Sequence, residues 1–275
     1  MNNIIDLSVP IDSDFWEPEK VTREIVDHKE GANKLGESYL YFHTSSWWKR
    51  VFIKLFKRKK WIIDHNDFPD GMGLSLMHYR LTTHTGTHID APYHYGWHKG
   101  QEQPATITDI PLDWFYSHGV LLDFSQNDQL IDKQAVENKL KEINYKIKAN
   151  DIVLISTGAD KLVGSKSYFT HYRAIESSAV QWLVEQGVKI IGTDAFSFDR
   201  PFIEMINDYK KTGNKAYLWP SHFIGRDHPY LQIERLCNLN SIPKPYGFKV
   251  CCFPIKLEKA DASWSRVVAI FDNNI

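Results

Sequence analysis

Four side chains able to do metal and proton chemistry lie within eleven residues, between His84 and His94. His84, His88 and Asp90 are separated by even numbers of residues, and side chains two apart in a strand point to the same face. Gly86 lies between the first two imidazoles and leaves room for them. Two imidazole nitrogens and a carboxylate oxygen form a mixed ligand set that suits Zn²⁺ or Mn²⁺. The spacing therefore predicts a divalent metal site.

The same residues allow less specific interpretations. A single histidine is most often structural or exposed, and two histidines four apart also suit one face of a helix. Gly86 and the flanking threonines favour a strand instead, which we predict over residues 77–90. Pro92 has no N–H to donate and ends strand pairing, so the turn after it can bring His94 beside the metal. An imidazole with a pKa of about 6.5 suits proton transfer near neutrality.

The surrounding pattern predicts the elements that position this segment. Residues 151–156 and 188–194 are apolar strands, with a helix between them over 177–186 that Gly187 ends. Such a strand–helix–strand unit forms a right-handed crossover when the strands are parallel. We predict a mixed α/β domain with a partly antiparallel sheet and one domain over residues 1–275. The other predicted strands are residues 4–9, 119–124, 248–257 and 265–271, and a second helix covers 131–143.

An amphipathic piece at residues 46–63 predicts an insertion at about 44–66. Apolar residues fall there at helical spacing, and Lys and Arg occupy the remaining positions. The segment could be a surface helix with a solvated basic face. It could also be a lid over the pocket, or a docking site for an acidic partner such as an acyl carrier protein.

Composition limits the classes of partner. The net charge is −1, so no overall field attracts nucleic acid or an acidic membrane, and neither is expected as a partner. The chain starts without a basic and then apolar stretch and has no long apolar run, so we expect neither secretion nor a membrane span. Three cysteines, two of them adjacent, fit a reducing cytoplasm. The 9 Trp, 13 Tyr and 15 Phe form either a large core or a pocket for a flat, apolar substrate.

The segment from His84 to His94 reads HTGTHIDAPYH and resembles, at every fixed position, the HxGTHxDxPxH signature of the metal-dependent cyclase family. That family includes bacterial kynurenine formamidases, isatin hydrolase and cyclases of aromatic polyketide pathways. The resemblance covers most of the chain: residues 5–8 are similar to the family's opening strand, 192–199 to its GxDxxSxD segment and 261–266 to its terminal motif.

The resemblance implies a fold, a site and an assembly. The fold would be a swivelling β/β/α domain that forms a homodimer, with its sites close to the subunit boundary. His94 would be the catalytic histidine. One or two divalent ions would be bound, the second bridged by Asp90. The residues that would bind them are His84, His88, Asp90, His222 and Glu234.

Other residues are weaker candidates for the same site. His228 is six residues from both His222 and Glu234 and is a rival ligand. Asp194 and Asp199 could orient the ligand histidines, as carboxylates behind metal sites do, or could be ordinary strand-end residues.

Three residues are predicted to contact substrate: Trp219, Trp264 and Arg266. Arg266 could bind an acidic group of the substrate or only pair across the sheet. Trp264 replaces the proline that formamidases usually have in the terminal motif, and Trp219 lies in a segment, 200–221, that is longer than theirs.

These departures favour the larger family members of aromatic polyketide pathways. We therefore predict aldol-type ring closure in an aromatic polyketide intermediate, with the metal as Lewis acid and His94 as general acid and base. Amide or lactam hydrolysis, as by arylformamidase or isatin hydrolase, needs the same ligands and is the alternative. A third possibility is a metal-stabilised binding protein without catalytic activity.

Overall fold

The computed structural model describes residues 3–56, 61–126 and 129–271. The chain divides into two compact units. The larger contains the residues up to Glu19 and those from Thr82 onwards, and the smaller contains Lys20–Leu81. The candidate ligands all belong to the larger unit.

A nine-stranded mixed sheet organises the larger unit, with the order β1-β11-β9-β5-β6-β7-β8-β4-β10. Strands β5 to β8 are parallel to their neighbours in that series, and the other pairs are antiparallel. The predicted mixed α/β fold with a partly antiparallel sheet is thereby confirmed. The strands are β1 (Ile4–Asp6), β4 (His88–Asp90), β5 (Tyr116–Asp123), β6 (Ile152–Ser156), β7 (Ile190–Thr193), β8 (Leu231–Glu234), β9 (Tyr246–Cys251), β10 (Ala262–Trp264) and β11 (Val268–Ile270); β2 (Thr22–Val26) and β3 (Leu76–Arg80) belong to the smaller unit.

Helices connect the parallel strands of the larger unit. Its helices are α4 (Lys133–Glu142), α5 (Ser177–Glu185), α6 (Phe202–Thr212) and α7 (Pro220–Phe223). Helix α4 starts where the Asp132 carboxylate accepts from the Ala135 N–H at 2.8 Å, which satisfies one unpaired donor of the first turn. Helix α5 lies between β6 and β7, as predicted, and Gly187 follows its end with a φ of +91°.

The sheet is covered on both faces at its centre, where β6 is apolar and buried from Ile152 to Ile155. Val153 and Ile155 of β6 pack in one buried cluster with helices α4 and α5, while Ile152 and Leu154 pack in the other. This alternation follows from the two-residue period of a strand. The parallel centre is therefore a rigid support for residues at the ends and edges of its strands.

The prediction of one continuous strand over residues 77–90 is wrong. The structure has two separate strands, β3 and β4, joined by turns. Gly86 has a φ of +68°, and a Cβ there would lie 3.0 Å from the Ile11 side chain. The left-handed backbone at Gly86 breaks the extended conformation, so His84 lies on a turn and not on the strand that carries His88 and Asp90.

The smaller unit pairs β2 with β3 and contains three helices: α1 (His28–Gly36), α2 (Ser38–His43) and α3 (Trp47–Phe56). The amphipathic piece predicted over 46–63 is helical over α3, while its basic residues 57–60 lie outside the described residues. One domain over residues 1–275 with an insertion at about 44–66 stays a prediction. In the described ranges, no helix is both long and apolar enough to cross a bilayer.

Candidate metal centre

Neighbouring strands bring the predicted ligands together. Strand β4 lies between β8 and β10, and His88 is directly opposite Glu234 in the antiparallel β4–β8 register. Facing side chains of antiparallel neighbours lie about 4.5–5.5 Å apart at Cβ. This pairing joins ligands that are 146 positions apart in the chain.

The turn before β4 is held by buried polar contacts. The Thr87 hydroxyl accepts from the Val9 N–H at 2.8 Å and donates to the Arg235 carbonyl at 2.5 Å. The Arg235 guanidinium donates to the His84 carbonyl at 3.2 Å and is paired with Glu17. These contacts fix the backbone on which His84 stands.

His84 and His88, the first two candidate ligands, each have one ring nitrogen occupied by a partner and the other directed at the site. His88 Nδ1 lies 2.9 Å from the Gly86 carbonyl, which can only accept, so Nε2 carries the free lone pair. His84 Nε2 lies 2.9 Å from an Asp261 carboxylate oxygen, leaving Nδ1 for the site. Such orienting partners are typical of metal-binding histidines.

Three atoms of His84, His88 and Asp90 converge. His84 Nδ1 lies 3.1 Å from His88 Nε2 and 3.1 Å from Asp90 Oδ1, and His88 Nε2 lies 3.3 Å from that same oxygen. Donors bound to one ion at about 2.0–2.2 Å lie roughly 3–3.5 Å apart. The three separations therefore fit a common cation.

The Asp90 carboxylate gives a second, independent indication. Asp90 is fully buried, and neither of its oxygens has a hydrogen-bond partner among the described residues. A buried carboxylate without such partners is costly unless it is paired or coordinates a metal. The donor set and the unsatisfied oxygens both fit a divalent cation.

His222 and Glu234 extend the cluster. Glu234 lies with Oε2 3.6 Å from His88 Nε2 and Oε1 3.6 Å from His222 Nε2. His222 also forms a group with Asp90 and His94 whose candidate ligand atoms all lie within 4.8 Å of one another. The structure therefore gathers all five residues that the sequence predicts as ligands, and their coordination of metal stays a prediction.

Asp199 orients His222. Its carboxylate lies 2.6 Å from His222 Nδ1 and accepts from the backbone N–H groups of Ser221 and His222 at 2.7 and 3.1 Å. Asp194, the other carboxylate proposed for this task, has no hydrogen bond or ion pair with a histidine among the described residues. It accepts instead from Thr157 and Gly158, and burial raises the pKa of Asp194 to about 6.

His94 lies at the rim of the cluster, on a short 3-10 turn (Pro92–Tyr95). Its ring centroid is 4.3 Å from that of His84 and 5.7 Å from that of His222. Its Nδ1 is 3.6 Å from Asp261, and its side chain is 31% exposed. His94 is therefore close enough to exchange a proton with a molecule bound at the cluster, and open enough for that molecule to reach it.

The ionisable groups perturb each other strongly. Burial lowers the pKa of His84, but the negative charge of Asp90 and the hydrogen bond and charge of Asp261 outweigh it and raise that pKa to about 10. Burial and the Asp90 charge raise the pKa of Glu234 to about 8. Burial favours the neutral form of Asp90, yet the charges of His94, His88 and His84 hold its pKa well below its usual range. Such mutual perturbation is typical of functional sites.

A cavity of about 510 Å³ opens onto the cluster. One wall is aromatic: the ring centroids of Phe196 and Phe202 are 5.5 Å apart, as are those of Phe202 and Trp219. This volume and lining suit a small, flat organic molecule. The remaining lining residues are Glu17, Pro18, Glu19, Thr82, His84, Thr85, His94, Tyr95, Ser197, His222, Phe223, Glu234 and Arg235.

Of the three residues predicted to contact substrate, one lines the cavity and two do not. Trp219 lines it. Trp264 is outside the lining and donates from Nε1 to the Thr82 carbonyl at 3.0 Å. Arg266 is 78% exposed and forms an ion pair with Asp6 at 2.7 Å, because β10 and β11 carry it to the β1 side of the sheet. His228 is exposed and takes no part in the described metal-ligand groups.

The sequence did not reveal two features of the site: the role of Asp261 and the Arg235–Glu17 ion pair. Asp261 accepts from the Thr83 hydroxyl at 3.0 Å as well as binding His84. It lies in the terminal motif at 261–266, which was the only signal available, and it reaches the site because β10 pairs with β4. The buried Arg235–Glu17 pair in the cavity wall had no pattern in the sequence that could reveal it.

The fold and site define a mixed-sheet protein with a candidate histidine–carboxylate metal centre. The family described as "Putative cyclase" matches residues 5–200. Cyclase-like protein 3 of Oryza sativa subsp. japonica is 25% identical over 194 residues, 70% of this chain but only 64% of that protein's length. A kynurenine formamidase of Salinibacter ruber is 24% identical over 216 residues, 76% of this chain and 84% of that protein.

A solved isatin hydrolase, bound to the product analogue thioisatinate, superposes with a TM-score of 0.69 at 17% identity. The superposition covers 98% of this chain and 92% of that one, and at this identity it supports the fold alone. The family match spans most of the chain, so the chain belongs to the cyclase family. It is accordingly an enzyme of a family whose relatives include a kynurenine formamidase.

Replacing Asp199 by asparagine is expected to weaken metal binding by about 10- to 100-fold, the usual effect of losing a partner behind a ligand histidine. The amide cannot accept from His222 Nδ1 and from both backbone N–H groups at once. Calorimetric titration of the metal-stripped protein with Zn²⁺ and Mn²⁺ measures the effect.

Asp194→Asn is the matched control, since it neutralises an equally buried carboxylate that also accepts three hydrogen bonds. Both variants should lose stability in thermal unfolding, but only Asp199→Asn should lose metal affinity. Equal losses of affinity would mean that Asp199 acts on the fold in general and not on His222.

Proposed function

We propose that the protein is a metal-dependent hydrolase that cleaves the amide bond of an aromatic small molecule, either an N-acyl arylamine or a fused-ring lactam. The supporting observation is that His94, 31% exposed, and His84, 28% exposed, face an open cavity beside the candidate ligands. Water is the second substrate of a hydrolase, so its access to the reacting groups is required. Ring closure by aldol chemistry needs water to be kept away.

A divalent cation held by His84, His88, Asp90, His222 and Glu234 would lower the pKa of water and polarise the substrate carbonyl. The substrate ring would lie against Phe196, Phe202 and Trp219, which places its carbonyl towards the histidines. His94 would take one proton from the attacking water as the oxygen bonds to the carbonyl carbon. His94 would then give that proton to the nitrogen as the C–N bond breaks, releasing an amine and a carboxylic acid, which loses the second proton of the water to solvent.

Asp261 would keep the imidazoles in place during these transfers. The hydrogen bond from His84 and the proximity of His94 hold the pKa of Asp261 well below its usual range, so it stays anionic throughout. An anionic carboxylate next to His94 stabilises the imidazolium that forms when His94 accepts the proton. The proton therefore passes between water, imidazole and nitrogen without neutralising Asp261.

Ring closure in an aromatic polyketide is the second candidate. It is favoured by the continuous aromatic wall of Phe196, Phe202 and Trp219, which could fold a flexible poly-ketone. A substrate of that kind could be presented by an acyl carrier protein. Both candidates use the same ligands and His94, so only the substrate separates them.

Turnover assays of the metal-loaded protein should show hydrolysis of an N-formyl arylamine or of isatin. The loss of substrate absorbance monitors the reaction. A bicyclic poly-ketone should be left unchanged. The protein stripped of metal by a chelator is the control and should be inactive until Zn²⁺ or Mn²⁺ is restored. If the protein closes a ring in the poly-ketone but leaves the N-formyl arylamine and isatin intact, hydrolysis is wrong and ring closure is the function.

A further inference from the structure

Helix α3 of the smaller unit is apolar at seven of its ten positions, yet none of its residues is buried. A surface helix of a globular protein normally turns its apolar stripe towards the core and its charges towards water. Such an apolar helix without a buried residue needs another reason for its composition.

The charged side of α3 is the side that contacts the protein. Arg50 donates to the Thr44 carbonyl at 2.8 Å and lies over the Tyr41 ring, 4.9 Å from its centroid. Lys54 forms an ion pair with Glu37 at 2.5 Å. These contacts within the smaller unit fix the rotation of the helix about its axis.

Large apolar side chains are consequently directed away from the unit. Trp48 is 74% exposed, Leu55 is 70% exposed and Phe56 is 72% exposed. Scattered apolar residues on a surface need no explanation, but several on one short helix mark a contact surface. We name the exposed set Trp47, Trp48, Leu55 and Phe56 the α3 face.

Charge around the α3 face is strongly one-sided. Residues 44–63 contain seven Lys and Arg and no Asp or Glu. The remainder of the chain has 26 basic and 34 acidic residues and therefore carries −8. The near-neutral total, which led us to expect no membrane partner, conceals this separation. A partner for the α3 face must be anionic and must accept apolar side chains.

The composition of the segment favours lipid over protein as that partner. Residues 47–63 are all aromatic, aliphatic or basic, with no amide, hydroxyl or carboxylate side chain. Protein interfaces are depleted in Lys and use many side-chain hydrogen bonds. Tryptophan is enriched at the bilayer interface, and helices with aromatic and basic residues of this kind lie in the headgroup region.

We propose that the α3 face binds the surface of an anionic lipid bilayer, with its aromatic side chains among the acyl chains and the basic side chains of residues 44–63 at the headgroups. The helix has ten residues, about 15 Å in length, so it would lie in the plane of the surface. The acidic remainder of the chain is repelled by the same surface, which orients the protein with the smaller unit towards the lipid.

Co-sedimentation of the full-length, metal-loaded protein with vesicles tests the proposal. Vesicles of phosphatidylcholine mixed with phosphatidylglycerol should bind it, and pure phosphatidylcholine should bind it weakly. Lys49→Glu should reduce binding by about 25-fold, because each basic residue near an anionic surface contributes about fivefold and the reversal counts twice. Trp48→Ala with Leu55→Ala should reduce it by a similar factor.

Matched controls lie in the larger unit. Lys141→Glu on α4 makes the same change in net charge, and Leu112→Ala removes a side chain that is equally exposed at 70%. Both controls should bind vesicles as the unchanged protein does, and added salt should weaken all binding. All variants should keep their turnover, since none alters the metal centre.

Three results would overturn the proposal. The first is vesicle binding that is absent or unaffected by the α3 variants. The second is a dimer that the α3 variants convert to monomer without any lipid binding, which would make a second copy of the chain the occupant. The third is capture of a purified acyl carrier protein through the α3 face with no affinity for lipid.

Discussion

His94→Ala is expected to lower kcat by about 10²- to 10⁴-fold, the usual contribution of a positioned acid–base group, while the protein keeps its cation. His94 is the least buried imidazole of the cluster at 31% exposed, and its removal leaves the three short separations among His84, His88 and Asp90 intact. KM should change little, because the aromatic wall is untouched. Steady-state kinetics with elemental analysis of the same sample measures both quantities.

His98→Ala is the control for His94→Ala. His98 is four residues further along the chain and is exposed. Its Nε2 lies 3.1 Å from an Asp227 carboxylate oxygen, and it does not line the cavity. Its loss should leave kcat within about twofold of the unchanged protein. If His94→Ala also kept full turnover with its metal bound, His94 would not be the proton carrier, and the interpretation as a binding protein would gain support.

Local pattern was sufficient to predict the central fold, because the strands around α5 bury apolar side chains on both faces and read as continuous apolar runs. Val153 and Ile155 face one cluster and Ile152 and Leu154 the other, so the sequence alone predicts a covered strand. The two predicted helices of the larger unit were confirmed as α4 and α5 for the same reason: their caps and apolar spacing are local.

The site was predicted for a reason that is only partly correct. Alternation along one strand was expected to align His84 with His88, but the left-handed Gly86 puts His84 on a turn, where Asp261 and the Arg235 guanidinium hold it. Those partners are more than 140 positions away, and nothing in a single sequence reports which distant strands pair. Arg266 illustrates the same limit, since its pairing with Asp6 depends on the β1 edge of the sheet.

His88→Ala is expected to reduce metal affinity by more than about 100-fold, since losing only a partner behind a ligand costs about 10- to 100-fold. His88 is fully buried, its Nδ1 is fixed by Gly86, and its Nε2 is within 3.6 Å of His84, Asp90 and Glu234. Turnover should fall with the bound metal, in contrast to His94→Ala, which loses turnover alone.

The stability of His88→Ala separates a ligand from a packing residue. Removing His88 takes the neighbouring imidazole away from the buried Asp90 carboxylate, whose oxygens have no described hydrogen bond, so the metal-free variant should be less stable. If His88 is a ligand, adding Zn²⁺ or Mn²⁺ should raise the Tm of the unchanged protein strongly and that of the variant little, because a cation stabilises only the form that binds it. Equal rises in both would mean that the cation binds elsewhere, and the convergence of these side chains would then be electrostatic packing.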